Sequence, residues 1–219
     1  MKYLLSFVLG VAAGGAIALA ALFFNPLTRA QSDDPSGAAW TLRYSVAPSD
    51  VLISTHDRSL GLPLVPSDAP LLWEQGIKGS VLTVMPLSAD EAGSPAWATR
   101  ISVPATDTDL LTAGVLVDDY WLVSVPGRGS VLVHSVSNHW PLLRDSVVRV
   151  DWLKQAWPGS AEYTPTRGPN AAAAAVVGLS GEFAGAEGRA WERVALKDYN
   201  GRFSGLAGQL LLDLGGAPR

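Results

Sequence analysis

The chain has 219 residues, a formal net charge of −4 at pH 7 and no cysteine. The lack of cysteine excludes disulfides, thiolate nucleophiles and cysteine-bound zinc or iron–sulfur centres. Lysine and arginine form no block, so nucleic acid and anionic lipid headgroups are not expected partners.

The first element is an apolar segment, Leu4–Phe24, that contains neither charge nor proline. At about 1.5 Å rise per residue it is long enough to cross a hydrocarbon core of about 30 Å. Its length favours a single-pass membrane anchor over a cleaved signal sequence, whose apolar part usually has about 7–15 residues. The alternative is a signal cut after Ala30, because Thr28 and Ala30 place small residues where a signal peptidase reads.

The charges around this segment predict its orientation. Lys2 precedes the segment, whereas Arg29 follows it together with Asp33 and Asp34. This arrangement favours an amino terminus on the cytoplasmic side. The expected location is therefore the cytoplasmic membrane, with residues 31–219 in the periplasm or outside the cell.

Composition divides the chain into three parts. Residues 1–30 form the anchor or signal segment, and Pro, Ser, Asp and small residues over 31–39 predict a flexible spacer. Residues 40–214 are expected to form an exported β-rich domain. A Pro- and Gly-rich interruption near 157–170 is interpreted as a long loop, because the roughly 45 residues after it would not bury a core alone.

Alternation of apolar and polar residues predicts strands in the first part of this domain. Trp40–Val46 alternates throughout, and Ser80–Met85 and Trp97–Val103 are β-branched-rich runs bounded by Gly and Pro. The clearest unit is a hairpin in which a short Pro/Gly turn joins Tyr120–Val125 to Ser130–Ser135.

The same pattern predicts a strand over Ser146–Leu153, with Val148, Val150 and Trp152 on one face. No stretch after residue 30 has helical periodicity over about 12 residues. The Ala171–Ala175 run is where a helix competes best, since alanine favours helix.

A short internal repeat lies near the end of the chain. Gly181–Gly188 and Gly201–Gly208 share one phenylalanine and three glycines in register. Such spacing is typical of meandering sheets, where glycine allows bends and phenylalanine packs beneath them. The fold expected is all-β: an antiparallel sandwich or partly open β-roll after one N-terminal transmembrane helix.

The repeat resembles the repeated hairpins of bacterial membrane-anchored β-roll proteins that handle lipids or serve type II secretion. The resemblance covers only the two copies and carries no functional residue across. The resemblance implies lipid binding as one possible function of the domain. It rests on six residues: Phe183, Gly185, Gly188, Phe203, Gly205 and Gly208.

Three histidines are the candidates for catalysis or metal binding. His134 and His139 are an odd number apart and would face opposite sides of a strand, so they would not share a metal. If the strand ends near Ser137, this restriction does not hold. His56 stands in a polar turn with Asp57 and serines, the material of a nucleophilic triad, but no G-x-S-x-G elbow accompanies it.

The acidic residues match no known calcium-binding pattern. Asp118 and Asp119 are adjacent residues before a predicted strand and are interpreted as a solvated turn, and Asp107 and Asp109 also lack the glycine and terminal glutamate of a calcium loop. Three glutamates recur near the repeat without an obvious facing partner: Glu182, Glu187 and Glu192. No catalytic, cofactor-binding or metal-ligating residue is assigned, and no cofactor is expected.

A tether, a spacer and a β domain without a catalytic constellation favour a non-catalytic role. The expected function is an accessory or scaffold subunit of an envelope assembly or secretion system, with another envelope protein and the membrane as partners. One alternative is a β-roll that binds lipid or another apolar ligand in a groove between its sheets. A second is an exported hydrolase, which requires a histidine within hydrogen-bond reach of both a serine and a carboxylate.

Overall fold

The computed structural model describes residues 2–24, 40–55, 70–73, 79–89, 95–109, 113–157, 159–163, 166–167, 174–197, 199 and 206–215. An N-terminal helix, α1 (Lys2–Phe24), precedes a β domain. The strands in the described part are β1 (Trp40–Val46), β2 (Val51–Thr55), β3 (Leu71–Trp73), β4 (Ser80–Ala89), β5 (Pro95–Pro104), β6 (Leu116–Val125), β7 (Gly129–Asn138), β8 (Ser160–Tyr163), β9 (Thr166–Arg167), β10 (Ala174–Gly181), β11 (Glu187–Lys197) and β12 (Leu206–Gly215).

Eight antiparallel strands close into a barrel in the order β1-β12-β11-β10-β7-β6-β5-β4 and back to β1. Closure depends on β1, which pairs with β12 through Trp40 and Leu212 and with β4 through Tyr44 and Leu87. The expectation of a sandwich or partly open roll is therefore corrected to a barrel. The physical reason is that closure pairs the edge strands of the sheet with each other.

The remaining strands lie beside this ring. β2 pairs with the first half of β4 and holds β3 in parallel, while β8 pairs with β11 and β9 with β7. Two short strands therefore lie in the stretch near 157–170 that was predicted as a loop. Ala174 and Ala175 belong to β10 rather than to a helix, and Ala171–Ala173 lie outside the described residues.

The predicted strands and hairpin in the first part of the domain are confirmed. β1, β4, β5, β6 and β7 contain the predicted segments, and the turn between β6 and β7 has Gly127 at φ 79°. In the first repeat copy Phe183 is buried, and its ring meets Trp40 edge-on at 5.4 Å between centroids. Residues 201–205 of the second copy lie outside the described part.

The prediction of a strand over Ser146–Leu153 is wrong, because this segment is helical. A short α-helix, α2 (Trp140–Leu143), continues as a π-helix (Arg144–Trp152), and the Ser146 hydroxyl donates to the Leu142 carbonyl at 2.6 Å. The alternating valines are a local strand signal, but packing on β11 overrides it. The residues of this second small core include Leu142, Val147, Val150, Val194, Leu196 and Tyr199.

The barrel interior is filled by side chains. Inward positions of every strand in the ring contribute aliphatic residues, and Trp121 at the centre is only 1% exposed. An eight-stranded barrel is just wide enough for side chains to occupy its lumen. The largest buried side chains on the strands of the ring that belong to this core include Leu42, Met85, Trp121 and Leu210.

Helix α1 is long and apolar enough to cross a membrane, over Tyr3–Ala21. None of this window is buried against the barrel. The end of α1 meets the helical segment that follows β7, where the Arg144 guanidinium donates to the Phe23 carbonyl at 3.3 Å.

Candidate functional site

A cluster of polar side chains lies inside the barrel. Arg100 on β5 forms a bidentate pair with Asp119 on β6, with Nε–Oδ1 and Nη2–Oδ2 distances of 2.8 Å. Its remaining nitrogen, Nη1, donates to Glu192 Oε1 on β11 at 3.0 Å. The pairing follows from the strand register, which places Ser102 opposite Asp119 and Trp121 opposite Arg100.

Two hydroxyl groups and one aromatic ring complete this cluster. The Tyr44 hydroxyl on β1 donates to Glu192, and the Ser102 hydroxyl donates to Asp119. The Arg100 guanidinium lies 4.7 Å from the centroid of the Trp121 ring, within cation–π range. The cluster therefore links β1, β5, β6 and β11 across the lumen.

Burial and mutual attraction set the protonation of these groups. Burial by itself disfavours both charges of the central pair, but the Arg100 guanidinium holds the pKa of Asp119 below its usual range. The two nearby carboxylates likewise raise the pKa of Arg100. Burial raises the pKa of Glu192, which is therefore the carboxyl that more readily takes up a proton.

This interior cluster supports the fold and lacks the access that catalysis requires. The Asp119 side chain is 0% exposed and Arg100 and Glu192 are also buried. A buried ion pair is stable only when each charge keeps its partners, so the cluster constrains which strands can meet. In the sequence, the alternation that places Arg100 on the same inward side of β5 as Ala96 and Ala98 is the signal for a buried arginine.

The two described histidines lie in different environments. His134 faces outward, where its ring stacks on Tyr120 at 4.6 Å and Nε2 lies 3.5 Å from Asp118 Oδ1. His139 follows β7 with both ring nitrogens buried and without a hydrogen-bond partner among the described residues. Burial lowers the pKa of His139 to about 4. His56 lies outside the described residues.

Among the described residues neither histidine is hydrogen-bonded to a serine, as the histidine of a nucleophilic triad would be. The described part of the chain also contains no group of three His, Asp or Glu side chains that could hold a metal ion.

The acidic residues occupy positions that the sequence did not predict. Asp118 and Asp119 lie within β6, not in a solvated turn, because alternation sends one outward and the other into the lumen. Glu182 pairs with Arg128 at 2.8 Å near one end of the barrel, and Glu192 has the interior partners described above.

The outward side chains of five neighbouring strands form an apolar surface. In one cross-strand row Ile101 stands opposite Tyr120, and in the next Leu122 stands opposite Leu132, which stands opposite Val177. Trp97 at the margin is 53% exposed. We define the outer apolar face as Leu82, Val84, Trp97, Ile101, Tyr120, Leu122, Leu132, Val177 and Leu179.

The opposite wall of the barrel, on β1, β12 and β11, has a different character. Gln209 stands between Arg43 and Arg193, and Arg189 stands opposite Asp213. A groove of about 380 Å³ runs beside this row. We define the polar face as Arg43, Glu187, Arg189, Arg193, Gln209 and Asp213. One apolar outward pair, Trp191 and Leu211, lies between these residues, and both of its side chains are buried.

Comparison with known protein families and with curated protein sequences finds no match to this chain.

Proposed function

We propose that this protein is a membrane-anchored, non-catalytic subunit that docks another envelope protein on the outer apolar face of its barrel. In this role it serves as an accessory or scaffold subunit of an envelope assembly or secretion system. The observation that carries the proposal is the outer apolar face itself, a contiguous surface on five strands of a barrel whose interior is filled.

Apolar side chains that lie side by side on an exposed surface have a physical cost in water. Soluble monomers rarely expose contiguous apolar patches larger than a few hundred Å², and larger ones mark sites of interaction. Five of the strands contribute, so the surface is a wall and not a concavity. Small apolar ligands bind in concave sites, whereas protein partners bind to broad surfaces with aromatic anchors such as Trp97 and Tyr120.

The alternative of a lipid groove inside the β domain receives less support. Lipid binding would need empty space between the strands, and Trp121, Met85 and the surrounding aliphatic side chains occupy that space. The hydrolase alternative also lacks support from His134 and His139, since neither has a serine within hydrogen-bond reach among the described residues.

Tethering strengthens a moderate interface. Helix α1 would confine the barrel to the membrane, where a partner in the same membrane has a high effective concentration. A mature protein that begins at Gln31 and fractionates as soluble would overturn this part of the proposal.

Site-specific photo-crosslinking in native membranes tests the docking surface. Benzoylphenylalanine would replace Trp97 or Leu122 on the outer apolar face and, as matched controls, Gln209 or Asp213 on the polar face. We expect a crosslink to one defined envelope protein from the first pair only. Crosslinks to a second copy of this chain, to lipid alone or equally from both faces would contradict the proposal.

A further inference from the structure

The helical segment after β7 ends in two exposed apolar side chains. Trp152 is 72% exposed and Leu153 is 53% exposed, which makes Trp152 the most exposed large apolar residue outside α1 in the described part of the chain. A tryptophan in water at this exposure leaves most of its apolar surface uncovered.

The segment that carries them is held firmly against the barrel. Its other face packs Leu142 and Val148 inward, and the Tyr199 hydroxyl donates to Asp151 Oδ2 at 2.6 Å, next to Trp152. Because these contacts fix the last turn, Trp152 and Leu153 cannot turn inward without breaking them.

The backbone ends the helix in an unusual way. Lys154 adopts φ 57°, a left-handed conformation that residues other than glycine rarely occupy. This turn places a long cationic side chain directly after the exposed pair, and Arg149 is also exposed on the same segment. Lysine and arginine extend their stems along apolar surface while their charged groups stay in a polar layer.

The end of α1 lies beside this segment. Arg144 donates to the Phe23 carbonyl at 3.3 Å, while its other nitrogens bind the Asp145 carboxylate. Phe23 is one residue from the end of α1, so the start of the segment, eight residues before Trp152, lies beside the point where the apolar helix ends.

We propose that Trp152 and Leu153 insert into the membrane interface beside α1 and give the barrel a second membrane contact. This inference rests on the proposed anchor. Tryptophan favours the boundary between acyl chains and headgroups, where its ring is covered and its N–H stays hydrated. The second contact holds the helical end of the barrel at the membrane.

Single-cysteine labelling of the full chain tests this contact, because the natural sequence contains no cysteine. Trp152→Cys and Leu153→Cys would each carry an environment-sensitive NBD fluorophore in phosphatidylcholine vesicles. Asp213→Cys on the polar face is the matched exposed control, and circular dichroism verifies that each variant folds.

At positions 152 and 153 we expect blue-shifted emission, because the fluorophore leaves water. A lipid that carries a nitroxide near its carbonyl groups should lower the fluorescence by on the order of twofold, because these side chains lie at headgroup depth. The label at 213 should respond to aqueous iodide and not to the lipid nitroxide. A label at 152 that iodide quenches as strongly as at 213 would overturn the inference. Shielding from both quenchers in native membranes would also overturn it, because a protein would then cover the site.

A label within α1, in Leu9→Cys, separates failure of this inference from failure of the anchor. If nitroxide deep in the bilayer does not quench position 9, the anchor itself fails. If position 9 is quenched and positions 152 and 153 stay in water, only the second contact fails.

Discussion

The outer apolar face and the polar face are built by the same rule and differ only in their outward residues. On both walls alternate side chains point into the lumen, where aliphatic residues fill the core. The outward positions carry Leu122 and Ile101 on one wall and Arg189 and Asp213 on the other. Inward positions therefore fill the barrel, whereas outward positions give one wall mainly apolar side chains and the other wall most of the charged ones.

The largest effect should come from the interior that both walls share. Arg100→Leu leaves Asp119 buried without its cationic partner, and we expect a loss of about 3–5 kcal/mol in the free energy of unfolding. Arg189→Leu on the polar face should change it by about 0.5 kcal/mol or less. Urea unfolding of the detergent-solubilised chain measures both, and similar losses from the two variants would show that the cluster is not a stabilising unit.

A second contrast is between His134, which points outward and stacks on Tyr120, and His139 at the end of the barrel. The folded pKa of His139 is about 4 against an ordinary value of 6.5, so below pH 6.5 the unfolded chain binds a proton that the folded chain does not. The contribution of His139 to stability is therefore complete above pH 6.5 and is lost toward pH 4, by about 3 kcal/mol at about 1.36 kcal/mol per pH unit.

The charges of Asp119 and Arg100 also act on His139: Asp119 raises its pKa and Arg100 lowers it. The folded pKa of Asp119 is lowered, so its own stabilising effect is lost only at more acidic pH. His139→Gln should remove the loss between pH 6.5 and 4, whereas His134→Gln should retain it. The test is thermal unfolding across this range, and an unchanged pH profile in His139→Gln would refute the assignment.

Docking should respond to the outer apolar face and not to the polar one. Leu122→Gln places a polar group in the middle of the apolar rows, and we expect about a tenfold or larger fall in crosslinking from Trp97, corresponding to loss of a central contact. Arg189→Gln is the control on the other wall. Equal falls in both variants, or a matching loss of folded protein in Leu122→Gln, would argue against a docking role.

The smallest expected effect concerns salt. An apolar interface has little charge to screen, so raising the ionic strength from about 0.1 M to 0.5 M should change the crosslink yield by less than about twofold. A steep fall with salt would instead assign docking to the arginines of the polar face.

Local features of the fold could be predicted from sequence. β1 and the β6–β7 hairpin lie where alternation and a Pro/Gly turn predict them, because side-chain period and turn chemistry act over a few residues. The helical segment after β7 was wrongly predicted as a strand, because local side-chain alternation was the basis of that prediction too. Val148 and Val150 imitate a strand locally, and only packing against Val194 and Leu196 makes the segment helical.

The candidate surface could not be predicted from sequence, because it is assembled from strands that are far apart in the chain. Leu122 and Val177 belong to one continuous patch only after β7 pairs with both β6 and β10. Likewise Arg100 and Glu192 are separated by 92 positions before the barrel brings them together.

The sequence by itself determined an apolar N-terminal helix and a β domain, because the partitioning of each side chain between water and an apolar phase is a local property. Only the tertiary structure decided that the sheet closes, that one arginine binds two buried carboxylates and that the outward side chains of five strands form one surface. Closure depends on pairing between β1 and β4, and its free energy is a sum over many distant contacts that no short pattern contains.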